Sequence, residues 1–204
     1  MLFDDSYHTI KAPAEGIYKE KGSKFIGYAF PVKTEADCKE ILLQLKKEHH
    51  SARHHCYAYR LGPDLQTYRA NDDGEPNNTA GKPILGQIQS KGLTNILIVV
   101  VRYFGGTLLG VGGLIVAYRS AAAEAIANAE IVEEQILFSY SLTFNYENMN
   151  DIMRILKENH CKIISQDFGD ENKISFSIRK SQSEKAENSI RKIKGIMLNF
   201  GGTK

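Results

Sequence analysis

Six uninterrupted aliphatic residues, 96–101, run into Arg102 and then into Tyr103-Phe104-Gly105-Gly106-Thr107-Leu108-Leu109-Gly110-Val111-Gly112-Gly113, which places five glycines in nine positions. The β-branched run suits a strand buried on both faces. Beyond the glycines, Leu114, Ala117, Tyr118, Ala121, Ala125 and Ile126 recur at helical spacing and predict a long helix. A buried strand, a glycine segment and a helix N-terminus in that order demand a layered fold with a helix packed on a sheet. Two readings of the glycines stand side by side. They let an alanine-rich helix pack closely, through Ala117, Ala121, Ala122 and Ala125. Alternatively, they open the backbone to an anion, where free N–H groups and the helix dipole favour negative charge. The segment lacks the Gly-Lys-Ser/Thr ending of a Walker loop, and Gly110-Val111-Gly112-Gly113 is not a full GxGxxG.

The periodicity divides the 204 residues near Glu133 into two domains, 1–133 and 134–204. In the second, Ile136, Phe138, Tyr140, Leu142 and Phe144 alternate as a strand, and Met149, Ile152, Met153 and Leu156 switch to helical spacing. Strands are predicted over 161–168 and 173–178 around Gly169-Asp170-Glu171-Asn172. A helix capped by Ser183 follows, then a strand through Ile196, Leu198 and Phe200. The order βαββαβ predicts a ferredoxin-like sandwich. The first domain reads as α+β: paired strands over 17–21 and 24–32, a helix capped by Thr34 and Asp37, a strand over 56–61, a polar loop, a short helix from Pro83, and the strand before the glycines. Residues 130–135 read as a short charged linker.

No aliphatic run approaches a membrane span, and Met1-Leu2-Phe3-Asp4-Asp5 lacks signal-peptide features. Cys38, Cys56 and Cys161 form no CxxC pair. These features lead to the expectation of a cytoplasmic protein with buried thiols and no membrane partner. The net charge is +2, with 15 Lys+Arg against 16 Asp+Glu in residues 1–134 and 11 against 8 in residues 135–204. Lys173, Arg179, Lys180, Lys185, Arg191, Lys192 and Lys194 form either a phosphate-facing patch or a solvated surface.

The polar stretch from Asn71 to Pro83 contains Asp72, Asp73 and Glu75 within four positions. Asp, Asn, Gly and Pro are ordinary tight-turn residues; the alternative is that a phosphate ligand brings Mg²⁺ to these carboxylates. No resident cofactor is expected. His49-His50 and His54-His55 do not form a zinc set, because adjacent residues of an extended chain face opposite ways. His54 or His55 is a candidate proton acceptor or RNA contact. Arg102 either pairs with a carboxylate of the acidic turn or grips a phosphate.

Taken together, His54-His55-Cys56-Tyr57-Ala58-Tyr59, Asp72-Asp73-Gly74-Glu75-Pro76, Thr79-Ala80-Gly81-Lys82-Pro83 and the run from Val101 through Ala117-Tyr118 resemble the YigZ/IMPACT family, in its bacterial two-domain branch. The chain departs from the family pattern at Asn78, where glycine is usual, and at Arg119, where a small residue is frequent. The resemblance implies an N-terminal domain like the second domain of ribosomal protein five of the small subunit. It also implies a C-terminal domain like the last domain of elongation factor G. Eukaryotic relatives regulate translation by competing for the activator of a starvation-responsive kinase. The resemblance supplies no catalytic residues, and none is assigned.

The expectation is therefore a translation-associated protein that binds RNA, the ribosome or a translation factor. Its candidate contacts are Arg102, Tyr103, Gly105, Gly106, Gly110, Gly112, Gly113, Thr79, Lys82, His54 and His55. Two alternatives remain. One is a nucleotide- or phosphate-dependent enzyme of the small-molecule kinase superfold, with Asp72, Asp73 and Glu75 positioning Mg²⁺. The other is a pure protein-interaction module.

Overall fold

A computed structural model describes residues 5–169 and 171–203. The stretch Met1–Asp4, read above for leader features, and Asp170 of the expected hairpin connection lie outside the described residues. The chain forms two compact units, one spanning Tyr7–Glu134 and the other made of Asp5, Ser6 and residues from Gln135 onward. Both mix helices and sheet.

The larger unit contains β1 (Ser6–Ile10), β2 (Ala14–Glu20), β3 (Ser23–Pro31), α1 (Glu35–Glu48), β4 (His54–Leu61), β5 (Thr67–Asn71), α2 (Gly81–Ser90), β6 (Ile96–Tyr103), α3 (Gly110–Ala127) and β7 (Ile131–Gln135). Five strands form an antiparallel sheet in the order β2-β3-β6-β4-β5, and β1 pairs with β7. Helix α1 starts where the sequence places it, because Thr34 and Asp37 close a capping box: each side chain bonds the other's backbone amide.

The central strand β6 is buried along its aliphatic length. Ile96, Ile98 and Val100 join the core shared with α2 and α3, while Leu97, Val99 and Val101 join the core beneath α1. Six such side chains contribute on the order of 10 kcal/mol from burial alone. The sequence reading of a strand covered on both faces holds, here in an antiparallel sheet with helices on each side.

The four expected alanines of α3 are buried. What lets the helix approach is on the sheet, not in the glycine segment. A Cβ at Gly16 would lie 2.4 Å from the Ala125 nitrogen, and one at Gly27 would lie 2.4 Å from the Ala121 carbonyl oxygen. Two expectations need correction. The polar loop contains β5, an edge strand exposed over most of its length, and the supposed linker is largely β7.

The smaller unit contains β8 (Leu137–Phe144), a 3-10 turn at 146–148, α4 (Met149–Glu158), β9 (Lys162–Phe168), β10 (Asn172–Arg179), α5 (Lys180–Ile190) and β11 (Ile196–Thr203). Its sheet is antiparallel in the order β11-β8-β10-β9. Tyr140, Leu142, Phe144, Ile174, Phe176 and Ile178 meet the apolar faces of α4 and α5. Ser183 does not cap α5. The helix begins at Lys180, and the buried Ser183 hydroxyl donates back to the Lys180 carbonyl. No helix among the described residues is long and apolar enough to cross a membrane.

Candidate functional site

The acidic turn, the end of β6 and the start of α3 are the regions the sequence singles out, and they meet through Glu75. Arg102 Nη1 donates to Glu75 Oε1 at 2.5 Å, and the Tyr118 hydroxyl donates to the same oxygen at 2.7 Å. Only 7% of the Arg102 side chain and 4% of the Glu75 side chain reach solvent. The guanidinium also lies over the rings of Phe25 and Phe104, at 5.5 and 5.6 Å. Strand alternation points Arg102 to the α3 face of the sheet, and Tyr118, just over two turns into α3, reaches the same place. Burial pushes the Tyr118 hydroxyl and the Cys56 thiol well above their ordinary pKa ranges. Both stay protonated and act as donors. The Cys56 thiol donates to the Asp72 carbonyl at 3.0 Å.

Of the two options for Arg102, the structure has the carboxylate pair. Its charge is neutralised inside the protein, so its expected role as a phosphate contact does not fit this geometry. The acidic turn is likewise internally engaged. Asp72 accepts the amides of Asn78, Ala80 and Gly81 at 2.8–3.0 Å, which caps α2 from nine residues upstream. Asp73 accepts the His55 amide at 2.7 Å and Lys46 Nζ at 3.2 Å. The three carboxylates thus serve separate partners, and no group of three metal-ligating side chains converges among the described residues. The turn is built by left-handed residues: Asp73 at φ 38°, Gly74 at 88° and Asn78 at 64°, so asparagine serves where the family pattern has glycine. Thr79 is buried, its hydroxyl donating to the Pro76 carbonyl at 2.6 Å, which places it in the scaffold of the turn.

The histidines separate by face. His54 Nδ1 donates to the Asp73 carbonyl at 2.9 Å. His55 points to the α1 face and is 4% exposed, with Nε2 unpartnered. Burial holds its pKa below the usual histidine value. On that same face His49 bridges two phenols, with Nδ1 2.8 Å from Tyr103 Oη and Nε2 2.9 Å from Tyr28 Oη. Tyr103 is therefore held by His49 and is not poised to stack on a base. Sequence reasoning missed His49, Tyr28 and Tyr118 as network members, because their partners are 21 to 54 residues away.

The glycine segment itself is open. Residues 104–108, 110, 111 and 112 are exposed, and Leu108 is 84% accessible. One point is anchored: the Gly105 amide donates to Ser23 Oγ at 3.1 Å, and a Cβ there would collide with the Gly22 backbone at 1.9 Å. Gly106 and Gly110 hold φ of 86° and 73°. Helix α3 starts with Leu109 as its N-cap residue and no side-chain cap, and Gly112 has open space where a Cβ would stand. Lys82 is exposed on the first turn of α2. In the smaller unit, Lys173 pairs with Glu171 at exposed positions, as a solvated surface would, and the exposed Arg191 pairs with the half-buried Glu187.

The model of the Impact N-terminal domain matches residues 21–126, which hold the acidic turn, β6 and α3 up to Ile126. The IMPACT family member YvyE of Bacillus subtilis is 37% identical over 153 residues, covering 75% of this chain and 70% of YvyE. The IMPACT family member YigZ of Escherichia coli is 36% identical over 159 residues, 77% of this chain and 78% of YigZ. A crystal structure of a hypothetical protein superposes with a TM-score of 0.75 at 30% identity, covering 95% of this chain and 96% of its own. With the matched segment spanning the ion-paired turn and the glycine segment, and relatives aligned over most of their length, this chain belongs to the IMPACT family.

Proposed function

We propose that this protein is a cytoplasmic, translation-associated regulator that binds RNA, with the glycine segment and the first turn of α3 receiving backbone phosphates. One observation carries the reading: exposed glycines lead into a helix whose first-turn amides have no side-chain cap. The family resemblance supports it through the likeness of the first domain to ribosomal protein five of the small subunit. The ferredoxin-like βαββαβ order of the second domain, compared with the last domain of elongation factor G, points the same way. Phosphate contact falls to Gly106, Gly110, Gly112 and Lys82, since Arg102 and Tyr103 are engaged inside the fold.

Gly112→Asp tests this directly. The site has room for the side chain, and an acidic residue in the first helical turn favours the helix, so stability holds or rises by up to about 1 kcal/mol. The same charge repels phosphate. Association with ribosomes or RNA at low salt is expected to weaken in the variant, and the wild type to lose affinity steeply as salt rises. No wild-type association at low salt, or equal binding by the variant, overturns the proposal.

A second reading rests on the exposed apolar side chains of the same segment, Phe104, Leu108 and Val111. They suit a protein partner. A complex that survives nuclease and is lost on Leu108→Glu selects this reading over the first.

A further inference from the structure

Helices α2 and α3 enclose a groove of about 480 Å³ whose wall includes Asn78, Lys82, Gln87, Ile115 and Arg119. Its lining has two cations and no carboxylate. Lys82 and Arg119 are exposed, and among the described residues neither is in an ion pair. The acidic residues nearest to Lys82 in sequence do not compensate it: Asp72 is bound to three amides, Asp73 to Lys46 and the His55 amide, and Glu75 to Arg102 and Tyr118; Glu124, nearest to Arg119, is five residues further along α3, off the i, i+3 and i, i+4 positions of that helix face. The carboxylates of the acidic turn are thus turned to internal partners while the groove keeps its positive charge. Asn78 and Gln87 add amide donors.

Gly112, Ile115 and Arg119 recur at steps of three and four on α3, so they share one helix face. The groove therefore continues in line with the uncapped first turn. Gly86, also on its wall, keeps the α2 side free of a Cβ.

We infer that this groove is a second phosphate seat, in which Lys82 and Arg119 clamp one phosphodiester of a single-stranded RNA whose neighbouring phosphate lies at the α3 N-terminus. The shared chemistry is a phosphoryl oxyanion held by two cations and two amides. The choice of RNA as its source rests on the function proposed above. The site itself does not depend on that choice, because a free nucleotide or pyrophosphate carries the same group.

The experiment measures anisotropy of a fluorescein-labelled single-stranded oligoribonucleotide of mixed sequence across a salt series. It compares the full chain with Lys82→Gln/Arg119→Gln and with a control, Lys39→Gln/Lys47→Gln, on α1. Both groove side chains are exposed, so unchanged melting is expected and is checked. The groove variant should bind about tenfold or more weakly at low salt, with the slope of log K against log salt shallower by about 0.7, the value for one neutralised phosphate on a single strand. The control should shift less in both. Wild-type binding that the groove variant leaves unchanged, or that the control reduces equally, overturns the inference and leaves the function proposed above standing. A second arm uses pyrophosphate and thermal melting. A shift lost in the groove variant, with no RNA binding by the wild type, keeps the anion seat and removes the RNA reading. No response in either arm removes both.

Discussion

Replacing Arg102 by leucine strands the Glu75 carboxylate in the core with only the Tyr118 hydroxyl for a partner, and the size of the loss follows from the geometry. Breaking one side of a buried ion pair costs about 3–5 kcal/mol. Loss of the guanidinium from above Phe25 and Phe104 adds roughly 0.5–1 kcal/mol per ring. A unit of about 130 residues unfolds with an entropy near 270 cal/mol/K, so a loss of ~4 kcal/mol lowers its melting temperature by roughly 15 °C. Glu75→Leu should be similarly damaging, because it leaves the guanidinium unpaired. The pair is not an unqualified gain: Arg102 Nε has no partner, an omission of about 1–3 kcal/mol. Arg102→Leu/Glu75→Leu should therefore lose well less than the sum of the single losses, and adding Tyr118→Phe, which removes the hydroxyl left without its acceptor, should recover more. Urea titrations followed by tyrosine near-UV circular dichroism suit a chain with ten tyrosines and no tryptophan. Single losses under about 1 kcal/mol, or a double loss equal to their sum within about 0.5 kcal/mol, would refute the assignment of this pair as a desolvated, mutually dependent unit.

Three further outcomes are expected. Because burial depresses the folded-state pKa of His55, the unfolded chain binds the extra proton. Stability contributed by the neutral ring is present above about pH 6.5 and is lost as pH falls toward the folded value, and His55→Phe should flatten that part of a stability–pH curve. Gly27→Ala should destabilise the larger unit by about 1–3 kcal/mol in urea, since its Cβ would press on the Ala121 carbonyl; a neutral result would mean α3 is not seated on the hairpin as described. Burial raises the Cys38 thiol to about 12 and Cys161 to about 11, and lifts Cys56 further, so all three should resist thiol-reactive disulfide reagents until their own unit opens. Rapid native labelling of Cys38 or Cys56 would contradict the packing of both cores in the larger unit.

What the sequence revealed were features whose causes are local. The Thr34–Asp37 box, the β6 run, the alanine face of α3 and the βαββαβ alternation all depend on residues within a turn or a strand of one another. Strand β5 escaped because Thr67–Asn71 is an edge strand with little buried apolar pattern to alternate. Ser183 looked like a cap because capping residues and mid-helix serines bonding backward share one side chain. The site was legible as a list of residues but not as a wiring. Arg102 and Glu75 are 27 positions apart and Tyr118 and Glu75 are 43 apart, so which of two anions the guanidinium faced depended on tertiary contact. Asp72 acts on a helix start eight to nine residues downstream, beyond the reach of any ordinary capping pattern.

Strand β6 sends alternate side chains into two different cores, which couples the fates of the layers above and below the sheet. Neither α1 nor the α2–α3 pair can detach without baring half of the same strand, so the larger unit should come apart in one cooperative step. Amide hydrogens of β6 are then the slowest in that unit to exchange, reporting its whole unfolding free energy, while those of the open segment 106–109, beyond the anchored Gly105 amide, exchange almost freely.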